Sequence, residues 1–133
     1  MLFLPLVLAS GGNAGSQSAT LVVRAISQDE TKGQGKRIAW REVRVGALLG
    51  TTLAAIAFVM AYLLHGRMDY SSTVGTTVFA VVGFGTFFGA MLPMGLHKIG
   101  VDPALMSNPL IASLSDMLGV VIYYNVASWM TGV

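Results

Sequence analysis

The stretch Asp102-Pro103-Ala104-Leu105-Met106-Ser107-Asn108-Pro109-Leu110-Ile111-Ala112-Ser113-Leu114-Ser115-Asp116 ends on the one formally charged side chain between Pro103 and Val133. Two Asx-Pro pairs punctuate it. Asp102-Pro103 and Asn108-Pro109 each put an N-cap residue ahead of a proline suited to the first helical position. The pattern predicts a short helical turn from Pro103, a break at 108–109 and a main helix to about Thr131, the whole element covering 103–131. From Pro109 that helix is long enough to span a bilayer with some tilt. Asp116 falls two turns inside it. A carboxylate there must be paired, be protonated or hold a cation.

Working outward, two more uncharged runs, Val45 to Gly66 and Tyr70 to His97, reach the roughly 20 apolar residues a membrane helix needs. A fourth, Met1 to Val23, starts at the first residue. Only 11% of the chain is charged and 54% is apolar, against about 25% charged in a soluble domain. The expected fold is all-α: one polytopic membrane domain, 1–133, of four helices at about 2–26, 43–65, 72–97 and 103–131, the first truncated. A signal-peptide reading of residues 1–9 lacks the Lys or Arg that should precede the apolar run. A net charge of +2 leaves too few basic residues to line a nucleic-acid track. With no cysteine, disulfides and thiolate metal sites are excluded.

Six of the eight basic residues lie between Arg24 and Arg44, and Lys98 follows the third run. By the positive-inside rule, loops 24–44 and 97–102 are cytoplasmic, which makes this a multi-pass protein of the cell (inner) membrane, with Trp40 at the lipid interface. Gly46 with Gly50, and Gly85 with Gly89, are spaced for close helix packing. Pro93 is placed to kink or to end its helix.

The first helix carries Asn13, Gln17, Thr20 and Arg24 at i, i+4, i+7 and i+11, a polar face beside a glycine-rich one. A packing surface and a pore wall both fit it. On the last helix Leu105, Asn108, Ala112, Asp116, Gly119 and Tyr123 share roughly one face. Asp116 hydrogen-bonded to Asn13 or Gln17 would be a packing lock. As a proton carrier it lacks Asp, Glu or His partners at membrane depth. As a cation site it has hard donors: its own carboxylate, the Ala112 carbonyl, the side-chain oxygens of Asn13 and Gln17, and the hydroxyls of Ser115 and Thr20. Such a set suits magnesium or calcium. One carboxylate is too sparse a cage to dehydrate magnesium, so a wide site binding the hydrated ion fits better. Two chains on a two-fold axis would bring two Asp116 carboxylates together.

Pro5-Leu6-Val7-Leu8-Ala9-Ser10-Gly11-Gly12-Asn13-Ala14-Gly15-Ser16-Gln17-Ser18-Ala19-Thr20-Leu21 resembles the second membrane helix of MgtE-type magnesium channels. Gly89 to Pro93, and Gly100 to Leu105 through Ser115-Asp116, resemble the end of that family's fourth helix and its fifth. The resemblance implies a homodimeric channel, not an enzyme, moving hydrated Mg2+ across the bilayer through a path at the dimer interface, with Mn2+, Co2+ or Ca2+ as further candidate ions. It implies that Asp116 is the central acidic pore residue, that Ala112 offers a carbonyl one turn earlier, and that Asn13 lines the pore. It also implies that Asn108 lies by the cytoplasmic gate and that Asp102 is an acidic residue of an ion site at the cytoplasmic mouth. Full-length members carry a cytoplasmic helical domain, paired CBS modules, a connecting helix and a first membrane helix. None of these is in this sequence, so regulation by cytoplasmic modules is not carried over. An ion-coupled exchanger and a non-conducting membrane assembly module remain the alternatives.

Overall fold

The computed structural model describes residues 2–105 and 108–132. These form four helices and no strand: α1 (Leu4–Ser27), α2 (Gly35–His65), α3 (Met68–Lys98) and α4 (Asn108–Thr131), with a 3-10 turn at Pro103–Leu105 before α4. The chain is a membrane helix bundle. Among the described residues α2, α3 and α4 are long and apolar enough to cross a bilayer. α1 has 24 residues, about 36 Å, but its polar face keeps it out of that group.

The helix ends follow local chemistry. α2 stops at Gly66, which adopts the left-handed conformation (φ 65°) that an L side chain resists, and its N–H closes on the Tyr62 carbonyl at 2.8 Å. Arg67 and Asp69 pair at 2.6 Å across the turn, and Asp69 sits in the first turn of α3, where the helix dipole favours an anion. Asp102 caps the 3-10 turn, its Oδ1 accepting the Ala104 N–H at 2.9 Å.

Two boundaries differ from the sequence expectation. α2 starts at Gly35, not near 43, because Lys36, Arg37 and Arg41 are good helix formers and a helix does not end where it leaves the apolar layer. α3 starts at Met68, not near 72, its first turn carrying Asp69; it ends at Lys98, close to the expected 97, so Pro93 does not end it. Positions 106 and 107, inside the expected element 103–131, lie outside the described residues.

α3 is the spine. It packs on α1, α2 and α4, and α1 also packs on α4, whereas α1 and α2 barely touch. The packing surfaces are built from missing side chains. A methyl on Gly85 would lie 2.7 Å from the Gly11 carbonyl oxygen, and one on Gly89 would overlap the Gly15 carbonyl. On the other flank, Gly46 and Gly50 admit Gly83 and Phe79 of α3 to ordinary contact distance or closer. Apolar side chains fill the remainder: Val7, Val78 and Val82 toward one end, Val22, Ile38 and Ala90 toward the other. Dispersion from this close fit, with lipid outside, holds such helices together without a net hydrophobic drive.

Candidate ion site between the first and fourth helices

Helix α4 turns Ile111, Ser115 and Gly119 into the bundle, and all three are buried. Gly119 accepts Leu8 of α1, whose Cδ2 lies 3.0 Å from where a methyl would stand. Ala112 and Asp116 are one position further round, about 100° away, and so sit half-buried at the seam between α4 and α1. The narrow stripe read from the sequence is therefore split. Its glycine faces the core and its carboxylate faces the seam.

Gly12 of α1 makes room for that carboxylate. A methyl there would lie 2.7 Å from Asp116 Oδ1 and 3.7 Å from the Ala112 carbonyl oxygen. Both oxygens thus lie within 4 Å of one point on the α1 surface. Asp116 has no hydrogen bond or ion pair among the described residues, and the lock to Asn13 or Gln17 is not formed. No group of three or more His, Asp or Glu capable of caging a metal is found among the described residues.

Next to Gly12, toward the end of α1 that leads into the basic loop, a cleft of about 380 Å³ is lined by Asn13, Ser16, Gln17, Thr20, Leu21 and Asn108. All of these but Leu21 are polar residues, and two of them tie the helices together: Thr20 Oγ1 donates to Asn108 Oδ1 at 2.8 Å and Ser16 Oγ to the Asn108 carbonyl at 3.4 Å. Asn108 spends its side-chain oxygen across the helix pair, where an N-cap was expected. Asn13, Gln17, Thr20 and Asn108 are all exposed. Exposed amides and a half-exposed carboxylate facing lipid would be costly, several kcal/mol by the usual scales.

Of the other expected site residues, Ser115 is turned away. It is 3% exposed, its Oγ has no hydrogen-bond partner, and it faces Gly15, where a methyl would lie 2.5 Å from it. Leu105 is exposed on the 3-10 turn, and the exposed Asp102 is occupied in capping that turn.

Glu42 is a residue the sequence reading passed over. It is 2% exposed on α2; its Oε2 accepts from Ser18 Oγ of α1 at 2.6 Å, and its Oε1 accepts from both Nε and Nη2 of Arg41 at 3.0 and 2.9 Å. It is the chief polar tie between two helices that otherwise hardly meet. Its position, at the first apolar residues of α2 yet flanked by arginines, was the available signal.

These features define a class: a multi-pass helical membrane protein with an unpaired carboxylate at a helix seam beside a cleft lined by polar residues. A sequence profile of the MgtE family, described as divalent cation transporters, matches residues 4–126. The chain belongs to that family. It is 43% identical over 126 residues to the magnesium transporter MgtE of Thermus thermophilus, covering 94% of this chain and 28% of that protein. It is 33% identical over 127 residues to its counterpart in Bacillus subtilis, and 30% over 128 residues to that of Enterococcus faecalis. Those matches cover 95% and 96% of this chain and 28% of each relative, so the chain spans just over a quarter of their length.

Proposed function

We propose that two copies of this chain form a passive path for divalent cations, magnesium foremost, across the cell (inner) membrane, with segments 24–44 and 97–102 on the cytoplasmic side. The carrying observation is the Asp116 carboxylate, half-buried at the α1–α4 seam, beside the Ala112 carbonyl and free of any protein partner among the described residues. The named activity of the relatives supports magnesium as the ion. The exposed polar face of Asn13, Gln17, Thr20 and Asn108 supports a second copy, because a two-fold axis along that seam removes it from lipid. Two Asp116 side chains then face one ion.

The mechanism is electrostatic. Two carboxylates and two carbonyls are too few donors to replace a six-oxygen octahedral shell, so they hold Mg2+ through its waters. Asn13 and Gln17 accept from and donate to those waters in sequence, so the ion leaves Asp116 without losing its shell. At an effective dielectric of about 40 and a water-mediated separation of about 4.5 Å, one carboxylate contributes roughly 3 to 4 kcal/mol to a divalent ion.

Asp116→Asn in the purified full chain, reconstituted in vesicles, tests this. Magnesium uptake should fall at least a hundredfold, and Mg2+ should no longer raise the melting temperature. Wild-type uptake in the variant ends the proposal. Sodium-dependent flux in the wild type would assign it to coupled exchange. An intact dimer with no Mg2+, Mn2+, Co2+ or Ca2+ binding in either form would leave an assembly module.

A further inference from the structure

Because α1 and α2 hardly meet, a cleft of about 450 Å³ opens between the end of α1 and the start of α2. On the α2 side it is lined by Gln34, Arg37, Arg41 and Arg44, spaced to fall on one helix face. The opposite wall is Val22 and Ala25 of α1, and Glu30 is its one acid. Arg41 is committed to Glu42. Arg37 and Arg44 have no ion pair or side-chain hydrogen bond among the described residues.

A second cleft of about 270 Å³ shares Arg41 with the first; its apolar wall is Ala14, Leu21, Val45 and Leu49, and its polar wall is Gln17, Ser18, Thr86 and Glu42, whose charge is already paired with Arg41. The pair of clefts has a cationic end and an apolar end. The cationic end sits where the charged residues of α2 give way to the apolar run from Val45. Trp40, 63% exposed at the same level, belongs to the aromatic girdle of a membrane boundary.

We infer that this double cleft is a binding site for an anionic phospholipid, the phosphate held by Arg37 and Arg44 and one acyl chain lying along Leu21, Val45 and Leu49. Basic pockets between membrane helices on the cytoplasmic side take such headgroups. The Arg fork matches phosphate oxygens two at a time. A free phosphate would use the cationic end alone; the apolar extension is what selects a lipid. The bound lipid would bridge α1 and α2 where protein contact is sparse, and this does not depend on the ion path.

The test is native mass spectrometry of the full chain in detergent, titrated with phosphatidylglycerol, with phosphatidylcholine, and with inorganic phosphate as competitor. The wild type should retain phosphatidylglycerol in preference to phosphatidylcholine. Arg37→Gln/Arg44→Gln should bind it roughly thirtyfold more weakly. Arg24→Gln, which removes an exposed arginine outside the cleft, should bind as the wild type does. Equal loss in Arg24→Gln, equal retention of both lipids, or displacement by millimolar phosphate would each overturn the inference.

Discussion

Replacing Gly12 by alanine separates the ion site from the fold that carries it. The added methyl stands 2.7 Å from Asp116 Oδ1. Ordinary contact requires the carboxylate oxygen to withdraw by roughly 0.7 Å, a side-chain rotation of about 20°. That costs below about 1 kcal/mol. The gain from alanine over glycine inside a helix is of similar size, about 0.5–1 kcal/mol, and opposite in sign. Unfolding of the ion-free protein should therefore hardly change. Ion binding should change, because the carboxylate has moved and a methyl occupies the place of one water-mediated contact, together about 1–2 kcal/mol, or five- to thirtyfold. The assay is a magnesium titration of the melting temperature, since a ligand binding only the folded form stabilises it by a concentration-dependent amount. Vesicle uptake of magnesium is measured in parallel. Gly95→Ala is the control: nothing lies within 4 Å of a methyl there. If Gly12→Ala gives the wild-type titration and uptake, the carboxylate does not work from the position over Gly12, and the site assignment fails.

Glu42→Gln should lower the melting temperature in detergent by the equivalent of about 1–2 kcal/mol, since Ser18 keeps an acceptor while the half-exposed Arg41 can turn its charge to water; Glu42→Ala should cost more, and an unchanged melting curve for both would show the tie to be idle. Gly89→Ala should abolish monodisperse folded protein or destabilise it by about 3 kcal/mol or more, because its methyl would overlap backbone and not a movable side chain; normal yield and stability would contradict the close α1–α3 approach. Thr20→Val removes the hydroxyl that reaches Asn108, so amide exchange at the first turn of α4 should quicken several-fold, by about 1 kcal/mol of local stability, with α3 unaffected.

Much of the bundle was legible because a bilayer sets both length and charge. Runs such as Val45 to Gly66 stand out by lacking Lys, Arg, Asp and Glu, and the core of each helix follows. The first turns of α2 were not legible from that signal: Lys36 to Arg44 are helical for propensity reasons, and charge hides them among loop residues. Asp116 and Ala112 could be singled out because a lone acid in an apolar run has few innocent explanations. The placement of Ser115 could not, since neighbours on a helix differ by 100° and only the packed partner decides which of them faces the seam. Gly12 carried no chemistry of its own and acquired its importance from what stands opposite. Glu42 was hidden by company: an acid between Arg41 and Arg44 reads as one more loop charge until the fold buries it against Ser18.

Where α1 meets α3, glycine backbone lies on glycine backbone at two points one turn apart, Gly11 against Gly85 and Gly15 against Gly89. The side chains that reach these glycines, Val81 against Gly11 and Ser115 against Gly15, are short and buried, so docking costs little rotamer entropy and little could repack to absorb an error. Sliding α1 by one residue would advance it 1.5 Å and turn it 100°, driving the Cβ atoms of Ser10 and Ala14, or of Ser16, into the α3 backbone. The helix pair thus behaves as a keyed shaft. It is the empty positions that fix which residue of α1 is presented to the Asp116 carboxylate.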